Sequence, residues 1–80
     1  MARAPLSPEE RQLRVELMRA IAHEIQRRGM TVTQAAEFLG EKQPTISYLV
    51  NEHAERHSLG QLLGFARQFG LFFRFELESI

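Results

Sequence analysis

The sequence contains no cysteine and no aspartate. Without cysteine the chain forms no disulfide and offers zinc no thiolate ligand, and such a composition fits a reducing compartment. The sequence also lacks the usual catalytic groups, because it has no cysteine nucleophile, no glycine-rich phosphate loop and no Ser–His spacing that supports a hydrolase. We therefore expect no enzymatic activity, no cofactor and no metal.

Long apolar runs are also missing from the sequence. No stretch is long enough to cross a bilayer. Residues 1–6 lack the apolar run of a secretion signal. We expect a soluble cytoplasmic protein without membrane contact.

Charge of one sign is not in excess, since ten Lys and Arg face ten Glu. This balance argues against a protein that coats nucleic acid unspecifically, because phosphate binding depends on surplus positive charge. It still permits a DNA-binding protein whose charges are separated by face.

The length of 80 residues allows one domain. A domain of this size buries only about 60% of the surface of its unfolded chain, so its core is marginal. Since cysteine is absent, oligomerisation is the compensation that remains open.

Apolar periodicity and helix-capping residues predict four helices in a domain that spans residues 7–70, after a flexible arm at 1–6. In the first helix Leu13, Leu17, Ile21 and Ile25 recur at every fourth residue. Short helices follow from Thr31 and from Gln43, and a last helix begins at Ser58. The predicted capping pairs are Ser7 with Glu10, Thr31 with Gln34 and Ser58 with Gln61, and the predicted terminators are Gly29, Gly40 and Gly70. The polar segment 51–57 is predicted to be a loop.

The period changes to two from Leu71 onwards, which predicts a dimerisation strand within residues 71–80. Phe73, Phe75 and Leu77 share one side of this strand. Phe72 lies on the other side, where we expect it to cover a helix or a partner. No other segment reads as a strand, so the simplest partner is the same strand of a second copy, which gives a homodimer.

Residues 31–50 carry the physical requirements of two helices joined by a tight turn. Ala36 is small where the helices must touch, Gly40 serves the turn, and Ile46 can lock the second helix against the first. Leu39 and Leu49 supply the neighbouring inner positions. The fold class is therefore mainly α, with a helix-turn-helix and one C-terminal strand.

These residues, with the segments Ala35–Gly40 and Gln43–Ser47, resemble the XRE or lambda-repressor-like helix-turn-helix family. The segment Arg56–Leu59 and the closing helix and strand resemble a compact branch rich in HigA-like antitoxins. The resemblance covers about Leu13 to the C-terminus. It implies sequence-specific binding of double-stranded DNA at a pseudo-palindromic operator, transcriptional repression, and autoregulation beside a gene for a cognate toxin.

The same resemblance assigns site residues. Those expected at base edges are Gln43, Pro44, Thr45, Ser47 and Tyr48, and those expected at the DNA backbone are Thr31, Thr33, Lys42, Asn51, Arg56 and Ser58. Gln43 is the best placed for direct readout, since an amide can both donate to and accept from adenine. The sequence departs from the family pattern at Val32, Glu41 and Lys42, and the carboxylate of Glu41 would repel DNA.

Alternatives remain open for several residues. Tyr48 can pack its ring on the domain edge instead of reading bases, and His53 with His57 invites a weaker metal interpretation. Arg27 and Arg28 are expected to form a charge pair at a helix end. The phenylalanines at helical spacing, Phe38, Phe65 and Phe69, are expected in the core. The rival function is a protein-interaction module that binds a partner through its C-terminal strand without reading DNA.

Overall fold

The computed structural model describes residues 6–72, 74 and 77. This part of the chain forms four α-helices and one 3₁₀ turn. Their bounds are α1 Pro8–Arg27, α2 Val32–Leu39, α3 Gln43–Val50, the 3₁₀ turn Ala54–Arg56 and α4 Leu59–Gln68. All four predicted helices are confirmed, and Pro44 lies in the first turn of α3, where its missing N–H costs nothing.

The predicted N-caps are confirmed, although only one capping pair is reciprocal. The hydroxyls of Ser7, Thr31 and Ser58 each accept a hydrogen bond from the backbone N–H three residues later, at 3.1 Å. Only Gln34 returns the bond, since its Oε1 accepts from the Thr31 N–H at 2.9 Å. The prediction of a full capping box at Glu10 is wrong, because its carboxylate accepts from Arg14 instead.

The core lies between α1, α3 and α4, with α2 packed on α3. α1 packs against α3, α4 and the 3₁₀ turn, and α2 packs against α3. Apolar side chains spaced along each helix meet there and are shielded from water, which is the main favourable term in folding. The buried core residues are Leu17, Met18, Ile21, Ile25, Ala35, Ala36, Leu39, Ile46, Leu49, Ala54, Leu62, Phe65, Ala66 and Phe69. Leu6 packs half-buried against this core.

The segment 51–57 is more ordered than the predicted loop. Ala54 and His57 are buried. Arg14 of α1 fixes the segment, since its Nη1 donates to the carbonyls of Ala54 at 3.2 Å and His57 at 2.6 Å. The loop prediction is therefore wrong for Ala54–Arg56, because an arginine 40 residues away satisfies the backbone carbonyls that would otherwise need water.

A charge cluster joins the ends of α1 and α4. Both Arg27 and Arg28 bind the buried carboxylate of Glu24, with Nε–oxygen distances of 3.0 and 2.9 Å. Arg28 also donates to the Phe69 carbonyl at 2.9 Å, and its guanidinium lies 5.0 Å from the Phe69 ring centroid. The predicted charge pair at the end of the helix is confirmed, with Glu24 as its counterion.

Phe38 is not a core residue, contrary to the prediction from its spacing. It is 42% exposed and stacks on Phe69 with a centroid distance of 4.9 Å. The Arg28 guanidinium covers its ring at 5.7 Å. Helical spacing places Phe38 toward Phe69, the C-cap residue of α4, but Phe69 and Arg28 together leave much of its side chain open to solvent.

The Glu24 cluster makes stability depend on acidity. Hydrogen bonds from Arg27 and Arg28 hold the pKa of Glu24 at about 2, below the value near 4.5 of a free glutamate. The unfolded chain therefore binds the proton first, and the contribution of the cluster is present above about pH 4.5 and lost as pH falls toward 2. We expect the difference in unfolding free energy between the wild type and Glu24→Gln to be constant above about pH 5 and to shrink below it.

Urea unfolding between pH 2 and pH 7 measures this difference. Glu37→Gln, which removes an exposed carboxylate from α2, is the matched control and should give a difference that varies little with pH. A Glu24→Gln difference that stays the same from pH 5 to pH 2 would show that the cluster does not set the acid stability.

The predicted strand at 71–77 is not present among the described residues. Leu71 follows α4 and closes its end, since the Leu71 N–H donates to the Ala66 carbonyl at 2.8 Å. Phe72 and Leu77 are 95% and 90% exposed, outside any helix or strand. Phe73 and Phe75, which carry most of the dimerisation prediction, lie outside the described residues. A strand requires a second strand for its hydrogen bonds, and the rest of the described chain is helices and their connections.

Within the part of the chain that the structure describes, no helix combines the length and the apolar character needed to cross a membrane.

Candidate nucleic-acid interface

The turn between α2 and α3 has the geometry that its sequence predicts. Gly40 ends α2 in the left-handed region, with φ +69°, where a side chain would be strained. The N–H of Glu41 then donates to the Ala36 carbonyl at 2.8 Å, which closes the helix end. Ala36 is buried, so its small side chain lets the helices approach, and Ile46 of α3 is buried completely. The turn therefore fixes α3 at a defined angle to α2.

The start of α3 is polar and open to solvent. Lys42 is the N-cap residue and makes no side-chain capping bond. Gln43 and Pro44 are exposed beside it. Pro44 has no N–H and the Thr45 N–H donates to the Lys42 carbonyl at 3.0 Å, so the exposed Lys42 ammonium and the positive end of the helix dipole are what favour a negatively charged partner such as phosphate.

Four of the five residues predicted to read bases line one surface. Gln43, Pro44, Ser47 and Tyr48 surround an open recess of about 340 Å³ on α3, which we call the α3 recess. Their spacing places them on one face of the helix. Thr45 is half-buried and does not line the recess.

Tyr48 is held in place by the segment that follows α3. The guanidinium of Arg56 lies 4.7 Å from the centroid of the Tyr48 ring, as a cation–π contact. His53 meets the same ring edge-on, with a centroid distance of 5.5 Å. Arg56 was predicted as a backbone contact from the resemblance alone, and the structure brings its guanidinium to Tyr48 of α3. The contact between His53 and Tyr48 was not predicted from the sequence, because no spacing rule links two residues on either side of a helix end.

Besides Arg56, three of the six predicted backbone-contact residues use their side chains within the fold. Thr31 and Ser58 cap helices, and Asn51 Nδ2 donates to the Ser47 carbonyl at 2.8 Å, which closes α3. Thr33 and Lys42 are exposed. A capping hydroxyl or amide at a helix end can still approach phosphate together with the neighbouring backbone N–H groups, so all six assignments stay predictions.

Ion pairs hold several arginines of the first helix and its end. Four arginines of α1 and its C-cap residue Arg28 pair with four glutamates: Arg11 with Glu55, Arg14 with Glu10, Arg19 with Glu52, and both Arg27 and Arg28 with Glu24. Lys42 and Arg56 are not among the ion pairs of the described residues. The exposed Lys42 at the start of α3 and the exposed Arg56 against Tyr48 therefore keep positive charges that the ion pairs of the described residues do not neutralise.

The two histidines of segment 51–57, His53 and His57, have different environments. His57 is 2% exposed, its Nδ1 lies 3.2 Å from Gln61 Oε1, and burial lowers its pKa below the usual range. His53 is exposed beside Tyr48. Among the described residues no three His, Cys, Asp or Glu side chains lie close enough together to hold a metal ion.

Comparison with known proteins gives one match. A family model described as a helix-turn-helix domain matches residues 5–75, which is most of the chain. A search of curated proteins and a search of solved structures returned no match.

Proposed function

The chain belongs to the helix-turn-helix domain family, which supports DNA binding, and we propose that it is a sequence-specific transcriptional repressor. The observation that carries this proposal is the exposed face of α3, where Gln43 and Ser47 border the α3 recess beside the uncapped helix start at Lys42. Polar groups on one helix face can contact base edges in the major groove, while the helix start and the lysine contact phosphate.

The proposal includes a two-fold dimer. Two copies related by a two-fold axis place their α3 helices about 34 Å apart, which is one turn of DNA, and so fit a pseudo-palindromic operator. Occupation of such an operator over a promoter would block transcription. An antitoxin role and a cognate toxin stay predictions of the family resemblance.

The first test separates base reading from phosphate contact. Selection from a random DNA library should enrich one motif. On this motif Gln43→Ala should cost about 1–3 kcal/mol, with little effect on random DNA, because the amide contacts base edges. Lys42→Ala is the matched control: it should weaken binding to both DNAs and flatten the salt dependence, because it removes a phosphate contact. Fluorescence anisotropy at several salt concentrations measures both effects.

If the library yields no motif, the chain does not read DNA sequence. If a motif appears and Gln43→Ala binds it like the wild type, DNA binding stands and the assignment of Gln43 is wrong.

A protein-interaction module without DNA readout is the second candidate. Phe72 and Leu77 are almost fully exposed, and large apolar side chains in water favour a protein partner. The carboxylate of Glu41 beside Lys42 also counts against DNA. The same library selection decides between the two, since this module would enrich no motif.

A further inference from the structure

The α3 recess is lined by two polar and two largely apolar side chains. Gln43 and Ser47 contribute an amide and a hydroxyl, whereas Pro44 and Tyr48 contribute a ring each. Pro44 has no N–H to donate, so its part of the recess is purely apolar. A recess of this kind fits a ligand with one small apolar group directly beside hydrogen-bonding groups.

The aromatic wall of the recess is fixed before any ligand arrives. The Tyr48 ring lies under the Arg56 guanidinium at 4.7 Å and against the edge of the His53 ring at 5.5 Å. Arg56 in turn lies in the 3₁₀ turn that Arg14 binds through the Ala54 carbonyl. A wall that is already positioned loses little conformational entropy when a group packs against it.

We propose that the α3 recess binds the 5-methyl group of a thymine in the major groove, with Pro44 and Tyr48 as the residues that specify it. This inference rests on the proposed function. Thymine presents a methyl group next to its O4 acceptor, and no other standard base carries a methyl group in that groove. Ser47 can donate its hydroxyl proton to O4. Gln43, on the same face, suits the N6 and N7 atoms of adenine, so the recess and the amide together select A·T pairs.

The methyl group can be removed without changing the base pairing. In the selected motif each thymine is replaced in turn by deoxyuridine, which lacks only the 5-methyl group. At one position in each half-site the wild type should bind about four-fold more weakly, which corresponds to one buried carbon group of about 0.8 kcal/mol. The remaining thymine positions should show no change.

A pair of variants assigns the effect to the recess. With Tyr48→Ala the thymine and deoxyuridine sites should bind equally, because the aromatic wall is gone. Tyr48→Phe keeps the ring and removes only the hydroxyl, so it should retain the four-fold preference. Circular dichroism on both variants checks that they are folded.

The outcomes separate the two levels of the proposal. A motif that tolerates deoxyuridine at every thymine overturns the recess assignment and leaves DNA reading intact, and so does a methyl preference that persists in Tyr48→Ala. The absence of any selected motif overturns the assignment and the proposed function together.

Discussion

Ile46→Ala should remove a large part of the free energy of unfolding, about 2–5 kcal/mol, and lower the melting temperature accordingly. Ile46 is completely buried on α3, at the point where this helix packs against α1 and α2. Truncation of a buried isoleucine to alanine costs about 2–5 kcal/mol, from lost burial and from the cavity that remains. A chain of 80 residues has a total stability of roughly 4–12 kcal/mol, so the loss is a large part of the whole. Thermal and urea unfolding followed by circular dichroism measure it.

Two variants of the same helix are the controls for this expectation. Ile46→Val removes one carbon and should cost about 0.5–1.5 kcal/mol. Gln43→Ala changes an exposed residue three positions earlier and should stay within about 0.5 kcal/mol of the wild type, although it reduces DNA affinity. An Ile46→Ala protein as stable as Gln43→Ala would mean that Ile46 does not hold α3 to the core.

The helical part of the fold was predictable because its signals are local. Thr31 with Gln34, Gly40 in the turn and Pro44 in a first turn each fix the backbone of their own neighbourhood. Ile46 then needs only the helical period to be placed inside. The face of α3 follows from the same period, so Gln43 and Ser47 were predicted to share one surface.

The parts that were not predictable depend on contacts between distant residues. The order of Ala54–Arg56 comes from Arg14, 40 residues earlier, and the pairing of Arg11 and Arg19 with glutamates beyond α3 likewise joins residues far apart in sequence. The exposure of Phe38 depends on how much of its ring Phe69 and Arg28 cover. Periodicity says which side of a helix is apolar, but it does not say how much of that side a neighbour covers.

Deletion of residues 72–80 should separate the proposed dimer and weaken operator binding about a hundred-fold or more. The linked second half-site of a dimer adds a factor of about 10² to 10⁴ to affinity without any new contact, and a monomer loses it. The sequence of residues 71–77 alternates as that of a half-buried strand does, and Phe72 and Leu77 are almost fully exposed. Analytical ultracentrifugation at micromolar concentration, with anisotropy on the full motif and on one half-site, measures both effects.

In the proposed dimer, the charged residues restrict how segment 71–77 of one copy can pair as a strand with the same segment of the other. In antiparallel strands, residues opposite each other point to the same face of the sheet. A two-fold axis between the strands therefore sets one residue opposite its own copy, and the choice of that residue fixes the register. An axis at Arg74 or at Glu76 would set that residue opposite its own copy, which is unfavourable for like charges. An axis at Phe75 sets Arg74 opposite Glu76 of the partner subunit and keeps the apolar residues on one face. We expect this register.

A charge swap tests the register in the full-length protein. Arg74→Glu places two carboxylates opposite each other at both ends of the short pairing, so it should shift the dimer toward monomer and weaken binding to the full motif but not to one half-site. Arg74→Glu with Glu76→Arg restores opposite charges and should recover the dimer. Phe73→Ser with Phe75→Ser should dissociate the dimer at low and at high salt, because the proposed pairing depends on these two apolar side chains and not on charge. A wild type that sediments as a monomer at micromolar concentration would rule out the dimer. A dimer that Arg74→Glu leaves unchanged would rule out this register, since cross-strand charges would then not meet.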